Sequence, residues 1–426
     1  MVADSLRSDS VSLLEVPLNT TAPILLDPTG RDVHAEGDRL RAQGPIAQVE
    51  LPGGVRAWSV VGYDMVRKVL ADNRFAKDPR QHWPAFINGE VGDEFPLIGW
   101  VLMDNMTTSD GADHTRLRKL TAAAFTLRRT EAMRPQIKNI ATELLDDLAA
   151  VPAGEIVDLK GSYAYPLPTR VICDLFGVPE HLRREVMRGG EVNVNTTISH
   201  EEAVANVEQW HQAMHDLVEM KRQNPGDDLL SMLIKTQAED GTRLNDSEMA
   251  GTLHLMLGAG SETTTNLISK AVVMLLTYPD QFALVRSGQV TWKDVIEETL
   301  RVQAPIAQLP FRFTTEEVQI GGVTIPKGDP VLIGFAAAGR DPRRHGVDAD
   351  RFDLTRDDKE HLSFGYGVHH CLGAPLARLE AAIALPLLFE RFPELALAVP
   401  ANEIDPQGSF LLNGASTLPV HLGRAA

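Results

Sequence analysis

The chain has 426 residues, of which 41 are Lys or Arg and 58 are Asp or Glu, so its formal charge is −17. Such an acidic chain is a poor ligand for nucleic acid, because a protein that follows phosphates needs concentrated positive charge. The apolar fraction of 43% and the charged fraction of 23% are ordinary globular values and argue against disorder. Two distant cysteines, Cys173 and Cys371, exclude a disulfide scaffold or a Cys-rich zinc site and favour a reducing compartment.

The N-terminus shows neither a secretory signal nor the run of ~20 apolar residues that a membrane span requires. The chain also has no internal repeat and no low-complexity linker. We therefore expect a cytoplasmic protein with no membrane segment. It should form one domain over residues 1–426, with a short flexible extension over about 1–20.

Secondary-structure signals change in character along the chain. Residues 48–61 alternate as a strand pair around a turn at 52–54, which predicts a hairpin. After Pro310, β-branched residues and turn signals return, and 416–422 is again strand-like. Helical spacing covers 64–72, 115–150 and 204–221. The pattern predicts a mainly α fold with small β-sheets at its edges.

The longest predicted helix begins with a capping box, Asn245 and Glu248, and ends near Tyr278. About 30 residues span roughly 45 Å, so this apolar helix should cross the core. Its middle contains poor helix formers around one acid: Gly258, Gly260, Ser261, Glu262, Thr263, Thr264 and Thr265. Taken alone, this segment fits a glycine-mediated helix crossing with a solvated Glu262 as well as it fits a functional site.

Cys371 lies in a glycine-rich loop directly before another helical pattern. A thiolate there would face backbone N–H groups, which should lower its pKa and favour a role as metal ligand or nucleophile. A catalytic cysteine needs a base, and His369 or His370 are candidates, although sequence neighbours are rarely such partners. Cys173 has no motif around it and is expected to be a small core residue.

The loop around Cys371 resembles the haem-binding signature FGxGxHxCxG of the cytochrome P450 family. The six fixed positions are Phe364, Gly365, Gly367, His369, Cys371 and Gly373. The resemblance implies the cytochrome P450 fold, with a long central helix over haem b. It also implies that Cys371 ligates the iron from the loop on the proximal side.

Glu298 and Arg301 match the ExxR pair of the family and share one helix face. Such a pair alone is usually a solvated surface bridge. With Arg351 it resembles the buried Glu-Arg-Arg network that braces the haem loop. Gly339 stands where relatives often have Asn before Arg-Asp-Pro, which puts one loop contact in doubt.

Two further sets of residues match family positions. The resemblance assigns the haem propionates to basic residues, each of which alone would be an ordinary surface charge: His114, Arg118, Arg312 and His369. In the central helix, Ala259, Gly260, Glu262 and Thr263 match the AGxET segment. Glu262 and Thr263 would then deliver protons. A bond from Thr263 to the Ala259 carbonyl would bend the helix and make room for oxygen and water.

The resemblance implies a bacterial, actinomycete-type haem-thiolate monooxygenase that inserts one oxygen atom of O2 into a C–H bond. Electrons would come from NAD(P)H through a ferredoxin reductase and a ferredoxin. A basic patch should attract an acidic ferredoxin, comprising Arg116, Lys119, Arg128, Arg129, Arg343, Arg344 and Arg378. The alternatives are a peroxide-driven or non-oxygenating enzyme and a haem-based sensor without turnover; the Glu262 and Thr263 pair argues against both.

The family's pocket segments carry no charged residue in this chain, which predicts a small lipophilic substrate. These segments are 82–87, 97–103, 255–259, 304–309 and 409–413. The expected contacts are Trp83, Phe86, Leu255, Ile306, Gln308, Leu309, Leu412 and Asn413, whereas His254 is expected to be structural. Apolar walls with a few uncharged polar groups favour a steroid or polycyclic terpenoid. A macrolide or polyketide is the alternative, because acids lie nearby at Glu90, Asp93 and Glu94.

Overall fold

A computed structural model of the chain describes residues 22–92, 95–122, 125–236 and 243–425. The predicted N-terminal extension at about 1–20 lies outside the described residues. The helices are α1 (Val33–Gln43), α2 (Tyr63–Ala71), α3 (Pro79–His82), α4 (Pro84–Ile87), α5 (Ile98–Leu102), α6 (Gly111–Ala122), α7 (Leu127–Ala132), α8 (Arg134–Ala149), α9 (Pro166–Phe176), α10 (Glu180–Val194), α11 (His200–Gln223), α12 (Leu229–Lys235), α13 (Asp246–Thr277), α14 (Pro279–Arg286), α15 (Trp292–Val302), α16 (Phe335–Gly339), α17 (Pro342–His345) and α18 (Ala374–Arg391). Short helical turns also cover Lys160–Ala164, Gly367–His369 and Ala401–Glu403.

The strands form three small sheets. They are β1 (Ile24–Leu25), β2 (Ile46–Glu50), β3 (Arg56–Val60), β4 (Phe75–Ala76), β5 (Ile156–Asp158), β6 (Gln308–Thr314), β7 (Val318–Ile320), β8 (Val323–Ile325), β9 (Pro330–Gly334), β10 (Ala396–Leu397) and β11 (Pro419–His421). The largest sheet has the order β1-β2-β3-β9-β6-β4; the others are β10-β11-β5 and β7-β8. The predicted hairpin is the antiparallel pair β2 and β3, and the mainly α fold with small sheets is confirmed.

Helix α13 crosses the core and packs against α9, α10, α11, α15 and α18. Its capping box is present: Asn245 Oδ1 accepts the Glu248 N–H at 2.9 Å, and Glu248 Oε2 accepts the Asn245 N–H at 2.9 Å. Where α10 crosses it, a Cβ on Gly190 would lie 3.0 Å from the Cα of Gly258. The predicted glycine-mediated crossing is therefore real, and it brings two backbones together beside the middle of α13.

The ExxR pair is fully buried, with both side chains 0% exposed. Arg301 donates to the Glu298 carboxylate at 2.8 and 2.7 Å, and it also donates to the backbone carbonyls of Gly339, Ala349 and Arg351. One of these carbonyls belongs to Arg351, whose side chain is exposed. The second arginine facing the carboxylate is Arg356, with Nε 3.6 Å from Glu298 Oε1. The prediction that Arg351 supplies this side chain is therefore wrong; its contribution is a backbone oxygen.

The contacts of Arg301 explain why position 339 has no side chain. The Gly339 carbonyl accepts a hydrogen bond from Arg301 at 2.8 Å, and a Cβ at this position would lie 1.9 Å from the Arg301 carbonyl oxygen. We expect Gly339→Ala to lower the free energy of unfolding by about 3 kcal/mol, because two backbones must separate. Urea unfolding measures this effect. Gly92→Ala is the control, since nothing lies within 4 Å of a Cβ there; equal losses in both variants would contradict the steric account.

In the described part of the chain, no helix is long and apolar enough to cross a membrane.

Candidate active site

A cavity of about 310 Å³ lies between the middle of α13 and the loop that precedes α18. Ala259, Gly260 and Thr263 line it on the α13 side. Cys371 and Gly373 line it from the opposite loop. The structure thus brings together the two segments that the sequence singled out, although more than a hundred residues separate them.

The loop holds Cys371 by its backbone: the Cys371 N–H donates to the Phe364 carbonyl at 2.8 Å. Gly365, with φ at +73°, makes the turn that a residue with a side chain rarely adopts. Burial raises the pKa of the Cys371 thiol, while the N–H groups of Gly373 and Ala374 and the nearby arginines oppose this rise. The expectation of a lowered pKa is therefore wrong, because burial outweighs the helix terminus.

One end of the cavity gathers basic side chains. Lys77, Arg118 and His369 line it, and the His114 ring lies 4.1 Å from the His369 ring, centroid to centroid. Burial, together with the charges of Lys77 and Arg312, lowers the pKa of His369 to about 2. Burial also lowers the pKa of Arg312 to about 10 and that of Lys77 to about 7. Mutual repulsion among buried cations marks this end as a place for bound negative charge.

The acid and the alcohol of α13 have different surroundings. Thr263 lines the cavity, and its Oγ1 donates to the Ala259 carbonyl at 2.7 Å, as predicted for that hydroxyl. The helix nevertheless stays α-helical throughout Asp246–Thr277. Glu262 is 4% exposed, accepts a hydrogen bond from Gln407 Nε2 at 2.5 Å, and lies 4.0 Å from Lys160 Nζ. Burial raises the pKa of Glu262, so the alternative of a solvated glutamate is wrong.

Some of the residues expected to contact substrate lie on the cavity wall: Leu255, Ile306, Gln308, Leu309 and Leu412. Others do not, among the described residues. Trp83 and Phe86 belong to an aromatic cluster behind the wall, with the Trp83 ring 5.5 Å from that of Phe313. Asn413 turns away and donates to Gln303 Oε1 at 3.0 Å. The structure does not place these three side chains on the cavity wall, and their contact with substrate stays a prediction.

Two further wall residues, Asn193 and Trp210, and one buried acid had no role in the sequence interpretation, whereas Trp100, which also lines the cavity, belongs to the predicted pocket segment 97–103. Glu380 lines the cavity beyond the cysteine loop, and burial raises its pKa well above the usual range. An acid on the apolar face of α18 is the one signal that could have drawn attention to it. The His254 ring packs against the Trp210 ring at a tilt of 46°, with 4.5 Å between the ring centroids, and His254 lines the cavity as well.

The cytochrome P450 family model matches residues 191–288 and 291–414, which is about half of the chain. The chain is also 56% identical, over 95% of its length and 98% of the relative, to 2-hydroxy-5-methyl-1-naphthoate 7-hydroxylase of Streptomyces carzinostaticus. The chain belongs to the cytochrome P450 family. It is a P450 of the actinomycete type and a P450 monooxygenase.

This P450 is also similar to a second hydroxylase and to a solved P450 structure. It is 42% identical to 6-deoxyerythronolide B hydroxylase of Saccharopolyspora erythraea, over 90% of this chain and 94% of that protein. It shares the fold of a testosterone-bound P450 from Streptomyces sp. ATCC 11861, with a TM-score of 0.91 and 44% identity, covering 95% of this chain and 99% of that one. The P450 fold is therefore confirmed.

The family implies a haem, and the cavity of this P450 fits one. The cation-lined end suits two propionates, and His114 Nε2 is buried without a hydrogen-bond partner among the described residues. The opposite loop presents a single thiol, with Gly373 leaving its sulfur open to the cavity: a Cβ there would lie 3.8 Å from Sγ. Cys371 would ligate the iron, and a thiolate-ligated haem supplies the activation of O2.

Three of the seven cations of the predicted ferredoxin patch form ion pairs within this P450. Arg116 pairs with Glu248, Arg344 with Asp358 at 2.6 Å and Glu360 at 2.7 Å, and Arg378 with Glu297 at 2.6 Å. A cation that is already paired attracts an acidic partner less strongly. The partners of Arg116 and Arg378 lie far away in the chain, so the sequence could not reveal them. The patch therefore loses three unpaired charges, those of Arg116, Arg344 and Arg378.

Proposed function

We propose that this P450 hydroxylates an aromatic or polyketide natural product. Apolar contacts with the cavity wall would hold this substrate. The observation that carries the proposal is the 56% identity, over almost the whole chain, to a hydroxylase named for a methylated hydroxynaphthoate. The macrolide-type relative 6-deoxyerythronolide B hydroxylase supports the same broad class. We therefore prefer a polyketide-type substrate, which was the alternative in the sequence analysis, to a steroid, which was its first choice.

The cavity wall supports a flat or ring-shaped substrate. Trp100, Trp210 and Leu309 contribute broad apolar surfaces. Four charged residues line the cavity: Lys77, Arg118, Glu262 and Glu380. Lys77 and Arg118 lie at the cation-lined end, while Glu262 is engaged by Gln407. Neutral polar groups such as Asn193 and Gln308 then remain for hydroxyl or carbonyl groups of the substrate.

A steroid is the second candidate, and one observation favours it. The testosterone-bound relative has a TM-score of 0.91 against this chain and 44% identity. A rigid hydrocarbon frame with carbonyl or hydroxyl ends would meet the same apolar wall and neutral polar groups. Ring shape is common to both candidates, so binding measurements must separate them.

The test is a titration of the purified haem protein, following displacement of iron-bound water by the shift of the Soret band. We would compare 2-hydroxy-5-methyl-1-naphthoic acid, its methyl ester, testosterone and a macrolactone. We expect the naphthoate compounds to shift the band at the lowest concentrations, followed by product hydroxylated on the ring. We also expect the ester to bind at least as tightly as the acid, because the wall around the substrate offers neutral groups.

Tighter binding and turnover of testosterone than of the naphthoates would overturn the aromatic assignment and favour the steroid. Binding of the acid but not the ester would show that a cation recognises the carboxylate, against the role given to the neutral wall. A response to the macrolactone alone would narrow the class to macrolides.

We propose that Thr263 and Glu262 deliver protons during oxygen activation. Thr263→Ala should keep haem and substrate binding but lower product formed per NAD(P)H by about tenfold, with hydrogen peroxide as the missing output. Thr265→Ala is the matched control, because its hydroxyl donates to the Ser261 carbonyl at 3.0 Å and is buried away from the cavity. If the product formed per NAD(P)H is unchanged in Thr263→Ala, Thr263 has only a structural role in the helix.

The electron supply follows the family: a redox partner feeds the haem. We propose that NAD(P)H, a ferredoxin reductase and a ferredoxin fill this role, in the cytoplasm. Two distant cysteines support a reducing compartment. Reduction of the purified protein by a reconstituted ferredoxin system, compared with a flavodoxin, tests the choice of carrier.

A further inference from the structure

Lys77 is a buried lysine that neither the family motifs nor the proposed reaction uses. It follows strand β4 and is 9% exposed, and it lines the cavity at its cation-lined end. Its backbone N–H donates to both carboxylate oxygens of Asp110, at 2.9 and 2.7 Å. Asp110 also accepts the Asp78 N–H at 2.9 Å. The Asp110 carboxylate therefore fixes the backbone of Lys77 by accepting two backbone N–H groups.

The ammonium of Lys77 is only partly satisfied. Nζ donates to the Phe311 carbonyl at 2.6 Å, and among the described residues no other hydrogen-bond acceptor for its three protons is present. Two charged neighbours act on it: Arg312, next to Phe311 on β6, lowers the pKa of Lys77, and the Asp110 carboxylate raises it but is already bound to two backbone N–H groups. A buried ammonium with spare donors among other cations needs an anion in the adjoining space.

We propose that Lys77 is a further haem-binding residue, whose ammonium holds a haem propionate beside the Arg and His residues implied by the family. The cavity position, the spare donors and the cationic surroundings carry this inference. Burial lowers the pKa of Lys77 to about 7, and pairing with a carboxylate would restore the charged form. The proposal does not depend on which substrate the enzyme oxidises.

The test uses the holoprotein and two measurements. Haem transfer to excess apomyoglobin gives the rate of haem loss, and resonance Raman spectroscopy reports the propionate bending mode. We expect Lys77→Met to lose haem about tenfold faster, which is the usual scale for a charged hydrogen bond, and to shift that bending mode. Lys77→Arg should stay close to the parent in both.

Two other variants separate propionate binding from a structural role. Lys77→Gln removes the charge but keeps an N–H that can donate to the Phe311 carbonyl, and we expect it to behave like Lys77→Met. Lys68→Met is the matched control, since Lys68 is an exposed lysine on the nearby helix α2. Haem loss from Lys77→Met at the rate of Lys68→Met would overturn the proposal. So would faster loss with an unchanged propionate mode, because that result would assign Lys77 to the Phe311 contact alone.

Discussion

Cys371→Ala is expected to lose the long-wavelength absorption band of the carbon monoxide complex that is typical of thiolate ligation, and to abolish hydroxylation. The sulfur of Cys371 is the single thiol on the cavity wall among the described residues, so no other side chain there can donate a thiolate. Without it the iron loses the ligand that favours O–O cleavage. The reduced protein is scanned after addition of carbon monoxide, and product is measured with the best substrate from the titration.

The control is the second cysteine. Cys173 is 0% exposed in the core, and burial raises its pKa to about 12. Cys173→Ala should keep the long-wavelength band and most of the activity. Retention of the band in Cys371→Ala, or its loss in Cys173→Ala, would reject Cys371 as the iron ligand.

The second large effect is expected at the buried ion-pair network. Arg301→Met would leave the Glu298 carboxylate 0% exposed and without its bidentate partner. Removing one member of a buried pair typically costs about 3–5 kcal/mol, which is a large share of the stability of any domain. We expect little holoprotein from this variant and a fall of that size in its free energy of unfolding, measured with urea.

A pair of milder variants tests which second arginine stabilises the Glu298 carboxylate. Arg356 lies 3.6 Å from the Glu298 carboxylate and also donates to the His345 carbonyl at 3.0 Å, whereas the Arg351 side chain is exposed. Arg356→Met should therefore cost about 2 kcal/mol, and Arg351→Met less than about 0.5 kcal/mol. The reverse order of losses would return Arg351 to the network.

The sequence predicted what depends on local pattern. The capping box at Asn245 and the β2–β3 hairpin follow from short-range rules, because the groups involved lie within a few residues of one another. The glycine-rich cysteine loop was equally clear, since its ten residues form one unit. The cavity could be anticipated because the family resemblance joined this loop to α13.

What the sequence could not predict depends on contacts between distant segments. The choice between Arg351 and Arg356 requires the path of the loop after α17, and the pairing of Arg116 with Glu248 joins residues 132 positions apart. The pKa of Cys371 depends on burial by the surrounding segments and on Arg118, which is distant in the sequence. Lys77 has no motif at all, and its importance is visible only when Arg312 and His369 are placed beside it.

The topology of the large sheet has a consequence for how this protein is made. Strand β3 ends at Val60, and its parallel partner β9 begins only at Pro330, while β5 is paired by β11 at Pro419–His421. A nascent chain therefore leaves the ribosome with one edge of β3 unpaired until β9 is made and with β5 unpaired until the last residues are added. The face of α13 that packs against α15 and α18 stays uncovered until those helices are made. Slow translation and low temperature during expression should raise the yield of haem-loaded protein, and fragments that end before Cys371 should aggregate.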